Sequence, residues 1–152
     1  MNPSFAAEKT LGKLAKWLRL LGFDTLVESE IPTELFIQTL EKDRIFLTRT
    51  QRIEKQLTSR QYIFVKSDHL EQQLSQVLRE MGLKPADTHP FSRCLQCNVL
   101  IVTAKKDSLW GRVPDYIFET HGHFQQCPKC SRIFWPGSHT QRSLEKIRSL
   151  FE

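Results

Sequence analysis

Leu11-Gly12-Lys13-Leu14-Ala15-Lys16-Trp17-Leu18-Arg19-Leu20-Leu21-Gly22-Phe23-Asp24-Thr25 spells a helix, a stop and the start of a strand. At about 100° per residue, Leu11, Leu14, Leu18 and Leu21 share one face. Lys9, Lys13, Lys16 and Arg19 fall on the opposite side, which Leu20 interrupts and Trp17 borders. Such a stripe is either a solvated face or a surface for anions. Gly22 suits the residue after a helix, where a left-handed backbone is common. Phe23 to Val27 then reads as a short strand.

The pattern continues outward. Pro32-Thr33-Glu34-Leu35 opens a second helix running to about Lys42, with Pro tolerated at its start. Ile45-Phe46-Leu47-Thr48 and Tyr62-Ile63-Phe64-Val65 are continuous apolar runs, as in strands covered on both faces. A mostly polar helix is expected over Gln51–Ser59, and an amphipathic one over His69–Met81 carrying Leu70, Leu74, Val77, Leu78 and Met81. Strands alternating with helices point to βαβ units and a parallel sheet. Ligands of such sheets bind beyond the carboxyl ends of the strands. Arg49 and Thr50 lie just past one end, and Lys66, Ser67 and Asp68 past another. Asp68 is equally well read as a cap of the following helix. The segment before Glu8 is short and poor in β-branched residues, so a first strand there is expected to be weak.

Cys94-Leu95-Gln96-Cys97 and Cys127-Pro128-Lys129-Cys130 are two CxxC pairs separated by 29 residues. Each pair can form a turn aiming two thiolates at one point, and two turns complete the tetrahedral shell that zinc favours. A redox dithiol would not require two matched pairs. With all four positions taken by cysteine, the site reads as structural. The separation leaves room for an inserted hairpin or loop around Val99–Val102 and Tyr116–Phe118. His121, His123 and His139 read as surface or packing residues, and Phe124, Phe134 and Trp135 as a small core. Trp135 or Trp110 is a candidate for stacking on a nucleobase. Ser138 to Phe151 reads as a terminal helix with Leu144, Ile147 and Phe151 inward.

Composition limits the alternatives. The chain has 152 residues and a formal net charge of +5, enough length for a real core. Residues 1–90 carry 13 basic and 12 acidic side chains, and residues 91–152 carry 9 and 5. The charge and all four cysteines thus mark a different second segment. Two prolines within Pro85–Pro90 disfavour a helix at the join, so an α/β domain over 1–86 and a zinc-ribbon domain over 91–152 are expected. No run reaches the roughly 20 apolar residues of a membrane span, and no export signal is visible, so the expected compartment is cytoplasmic. One zinc held by four thiolates lowers the net charge by about two units. Global basicity is therefore a weaker argument for a nucleic-acid partner than the local stripe on residues 9–19.

Four segments occur in a recognisable order: Leu11 to Thr25 as quoted, Leu47-Thr48-Arg49, Arg93-Cys94-Leu95-Gln96-Cys97-Asn98, and Trp135-Pro136-Gly137-Ser138-His139. Together they resemble the Mut-seven C-terminal RNase domain family, over nearly the whole chain. The resemblance implies a PIN-like three-layer parallel-sheet domain followed by a zinc ribbon, and RNA as the partner. It also implies acidic residues at the carboxyl end of the sheet holding Mg²⁺ or Mn²⁺, which activates water and stabilises charge on the phosphate. Family members typically carry Asp three residues before the Leu of the helix motif, where this chain has Glu8. They typically read Leu-Thr-Arg-Asp, where this chain reads Leu47-Thr48-Arg49-Thr50. Asp68 matches a third acidic position.

Three functions follow. The first is an RNA-binding member with weakened or lost nuclease activity, contacting phosphates through Lys9, Lys13, Lys16, Arg19, Arg49 and Lys66. The second is an active Mg²⁺- or Mn²⁺-dependent ribonuclease using Glu8, Asp24 and Asp68. The third is a protein-interaction module docking through its zinc ribbon, with Cys94, Cys97, Cys127 and Cys130 as metal ligands.

Overall fold

A run such as Ile45-Phe46-Leu47 has no polar face, so it is stable only between two apolar layers. The computed structural model describes residues 2–40, 44–50 and 61–152 and supplies both layers. Strands β1 (Ser4–Ala7), β2 (Thr25–Val27), β3 (Arg44–Thr48) and β4 (Tyr62–Phe64) form one sheet in the order β2-β1-β3-β4. Every pairing is parallel. Helices α1 (Gly12–Leu20), α2 (Thr33–Leu40) and α3 (Leu70–Glu80) connect or follow the strands. The expected helix over Gln51–Ser59 and the expected end of α2 at Lys42 lie outside the described residues.

The pleat sorts the side chains. Phe5, Ala7, Ile45 and Leu47 point to one face and pack with Leu14, Leu18 and Leu21 of the α1 region and Leu74, Val77 and Leu78 of α3. Ala6 and Phe46 point to the other face, where Phe36 of α2 covers them. Three layers result. Leu14, Leu18 and Leu21 are fully buried, each contributing about 1.5–3 kcal/mol.

The expectation of a weak first strand is corrected. β1 is central, pairing with β2 through Phe5–Ala7 and with β3 through Ser4–Ala7. Its small residues suit a strand whose two faces are both crowded: Phe5, Ala6 and Ala7 are 0% exposed. β-propensity measures fit to a half-buried surface, which this strand does not have.

The second segment carries an antiparallel sheet of β5 (Val102–Ala104), β6 (Phe124–Gln126) and β7 (Ile133–Phe134) in that order. Tyr116–Phe118 belongs to a short helix, α4 (Asp115–Thr120), rather than to a hairpin. Leu109, Val113, Ile117 and Phe124 form its small core. Helix α5 (Ser138–Leu150) leaves this sheet and returns to the first segment, where Ile147 enters the main core. There Lys146 lies 5.1 Å over the Trp17 ring and 3.4 Å from Glu71.

The connector runs against the end of α1. His89 N–H donates to Leu21 O at 2.8 Å and Phe91 N–H to Leu20 O at 2.9 Å. Gly22 sits in this contact with φ +96°, and a Cβ there would lie 2.6 Å from His89 O. Both the backbone angle and the space exclude a side chain. Gly22→Ala is expected to cost about 2–4 kcal/mol, read as a lower urea midpoint. Gly82→Ala, at φ +64° with open space around it, is expected to cost only about 1 kcal/mol.

Candidate functional site

Two knuckles of the same geometry bring the cysteines together. Cys94 N–H donates to Val99 O, and Asn98 N–H to Cys94 O. Cys127 N–H donates to Arg132 O, and Ser131 N–H to Cys127 O. The residue after each CxxC is left-handed, Asn98 at φ +63° and Ser131 at φ +64°. The four Sγ atoms lie within 4.8 Å of one another, and Cys94 and Cys130 are 3.8 Å apart. Sulfurs about 3.8 Å apart fit a tetrahedron with 2.3 Å bonds, so the residues suit a thiophilic ion such as zinc. Burial raises the Cys127 thiol, but the N–H groups of Cys130 and Lys129 outweigh it and bring it down to about 7. Burial and the neighbouring cysteine side chains push Cys97 up to about 12. Without a cation the four thiols resist ionising together; a divalent ion removes that conflict.

The carboxyl end of the parallel sheet has a different character. Glu8 follows β1 and is 6% exposed. Its Oε1 accepts from Arg49 N–H at 2.6 Å and from the Thr10 hydroxyl at 3.0 Å. Its Oε2 accepts from the Thr48 hydroxyl at 2.9 Å and the Thr50 hydroxyl at 3.1 Å. Donors therefore surround this carboxylate, and the position where an Asp is typical of the resembled family supplies one of them.

Asp24 does not join Glu8. It precedes β2, and Phe5 pairs with Thr25, so Asp24 lies at the opposite, amino end of the sheet. There it pairs with Arg44 at 2.9 Å and accepts from Asn98 Nδ2 at 2.7 Å. Burial raises its pKa, but those bonds and the nearby Arg93 hold it below the usual value. Its role is to fasten the first knuckle, because Asn98 Oδ1 also accepts from Thr25 N–H at 3.0 Å.

Arg19 likewise leaves the basic stripe. It is 1% exposed and ion-paired to Glu30 at 2.7 Å. Its Nε donates to Thr25 O at 2.9 Å and its Nη1 to Leu95 O at 2.7 Å. A guanidinium with these partners is unavailable to a phosphate. Lys9, Lys13, Lys16, Arg49 and Lys66 are exposed. Lys9, Arg49 and Lys66 follow β1, β3 and β4 respectively, at the carboxyl edge.

Asp68 is at this edge but points outward, its side chain 79% exposed. Gln76 fixes the loop by donating to Phe64 O at 2.7 Å and accepting from Lys66 N–H at 2.9 Å. Gln73 donates to Ser67 O. Glu28 was not picked out by sequence. It follows Val27, which pairs with Ala7, so Glu28 is the register neighbour of Glu8, and its Oε1 accepts from Lys9 N–H at 3.0 Å. The first acidic residue past the strand over 23–27 was the available signal. Among the described residues, the four cysteines are the only group of three or more His, Cys, Asp or Glu converging as metal ligands. At the carboxyl edge no three described carboxylates come together as a set of Mg²⁺ or Mn²⁺ ligands. No described helix is long and apolar enough to cross a membrane.

Elemental analysis of the purified chain is expected to give close to one thiol-bound metal ion per molecule. Thiolate ligation is lost as protons compete, so metal should leave as pH falls toward 5, with loss of thermal stability. Retention of full stability after chelation would contradict a structural role. Cys127→Ser should reproduce the loss at neutral pH.

No curated protein matches the chain, and no solved structure does. One family model, described as the Mut7-C RNAse domain, matches residues 3–147, spanning both the parallel sheet and the cysteine cluster. With its sheet, its two knuckles and most of its terminal helix inside that match, the chain belongs to the Mut7-C RNase domain family.

Proposed function

We propose that this protein binds RNA and has little or no metal-dependent nuclease activity. The observation carrying this reading is the Glu8 side chain. A two-metal nuclease needs several carboxylates around shared cations, which hard divalent ions require as oxygen ligands. Glu8 is instead enclosed by two backbone-ordered threonines, a third hydroxyl and a main-chain N–H. Hydrogen-bond donors satisfy a carboxylate without a cation. Exposed Lys9, Lys13 and Lys16 on one side of α1, with Arg49 and Lys66 at the sheet edge, provide phosphate contacts. The cysteine cluster is read as a zinc site that holds the second segment together. The protein is expected to be cytoplasmic.

Binding and cleavage are separable in one series. Labelled single-stranded RNA should bind in a salt-sensitive manner and stay intact in Mn²⁺. Lys13→Glu with Lys16→Glu should lower the slope of log affinity against log salt by about 1.4 if each lysine meets one phosphate. Mn²⁺-dependent cleavage abolished by both Glu8→Gln and Asp68→Asn would refute the reading.

Thr50→Asp tests the same site in reverse. Its carboxylate would replace a donor lying 3.1 Å from Glu8 Oε2. Two like charges at that distance are expected to lower stability by about 1–3 kcal/mol without metal. Mn²⁺ should restore much of the loss in the variant and leave the parent chain's melting temperature unchanged.

A further inference from the structure

A groove of about 630 Å³ opens between the first knuckle, the β5-β6-β7 sheet and the start of α5. Its volume falls in the range of small-ligand sites. Phe91, Phe134 and Trp135 line it, all only partly buried, so aromatic surface remains open. Trp135 is braced from behind by Phe124, with ring centroids 6.4 Å apart. Arg93, His123 and His139 also line it, and none of its 17 lining residues is acidic. Arg93 is held by bonds from Nε to Gly22 O and from Nη1 to Asn98 O, which leave Nη2 outside both. Gly137, the residue before the 13-residue helix α5, lines the same groove, so the positive end of that helix dipole adds to the field.

The groove continues the lysine stripe. Lys9, Lys13, Lys16 and Leu20 fall on one side of the α1 region at helical spacing, and Leu20 is a lining residue. Lys16 and Leu20 are about 6 Å apart along the axis, close to one nucleotide step of an extended strand. A chain of phosphates following Lys9, Lys13 and Lys16 would therefore arrive at the aromatic groove. The Leu20 that interrupts the basic stripe marks the point where charge gives way to apolar surface.

We infer that this groove receives an unstacked base of single-stranded RNA, with Trp135 as the stacking surface and Arg93, His123 and His139 facing the adjoining phosphates. Charge complementarity and continuity with the stripe select RNA over an apolar peptide segment. The inference rests on the RNA-binding reading above and gives it a place. Base–aromatic stacking is sequence-tolerant, so the site holds a base without reading its identity.

The test uses the full metal-loaded chain and a labelled ten-nucleotide RNA, followed by fluorescence anisotropy. A phosphodiester oligomer of equal length lacking bases serves as the second probe. Trp135→Ala should weaken RNA binding roughly 5- to 100-fold, and Trp135→Phe should restore most of it. The abasic oligomer should bind the parent chain about as weakly as RNA binds Trp135→Ala. His123→Glu with His139→Glu, at exposed positions, should weaken binding about tenfold and covers the case in which Trp135→Ala misfolds. Equal affinity for the RNA and abasic probes overturns the groove assignment. So does full affinity in the groove variants while Lys13→Glu with Lys16→Glu weakens binding, and in that case RNA binding itself stands. A dimer broken by Trp135→Ala with RNA affinity unchanged assigns the groove to a second copy and also overturns it. Absence of RNA binding by the parent chain overturns both readings.

Discussion

A fully buried guanidinium must find partners for all its N–H directions or impose a cost of several kcal/mol. Arg19 meets that requirement by reaching four elements at once. It starts on α1, donates to the β2 backbone at Thr25, pairs with Glu30 beyond β2 and donates to Leu95 in the first knuckle. The remaining joints follow from this one. Asn98 meets Asp24 and Thr25 from the same knuckle, and Arg93 meets Gly22. The bare Cα of Gly22 then permits the connector to close on the end of α1. The first cysteine knuckle and the parallel sheet are held in one geometry by buried polar contacts, where unpaired groups would be penalised.

The sheet's two ends have consequently diverged. The amino end carries Asp24, Arg44 and Asn98, and its charges serve to hold the second segment. The carboxyl end is where α/β folds place ligands, and there Glu8 is enclosed by hydroxyls. At Thr50 a hydroxyl donor faces Glu8, where a carboxylate would have placed a second negative charge. Electropositive surface around this edge is unaffected, because Lys9, Arg49 and Lys66 do not depend on a metal for their exposure.

Much of this was legible in the chain because it depends on spacing. The helix over 11–21, the strands over 45–48 and 62–65 and the terminal helix appear within a residue or two of where periodicity places them. The paired CxxC turns announce a convergent thiol cluster, and the cluster is present. Less visible were features set by pairing partners. Ser4–Ala7 looks unsuited to a strand until its two neighbours and two covering layers are known. Arg19 reads as one of four stripe cations, yet it lies at the edge of that stripe where the knuckle closes over it. Tyr116–Phe118 becomes helical although it was a candidate for an inserted hairpin.

The sequence by itself determined the alternation of strands and helices, the four-cysteine set and the presence of Thr50 where the resembled family typically has Asp. These are properties of residue type and interval, which survive without any knowledge of neighbours. Tertiary structure alone decided which acidic residues share an end of the sheet. In a parallel sheet, a residue just before a strand and one just after its neighbour lie a strand's length apart, so Asp24 is separated from Glu8 while Glu28 is brought beside it. It also decided which cations remain free, because burial of a charge depends on what packs over it, and that is fixed by residues more than 70 positions away.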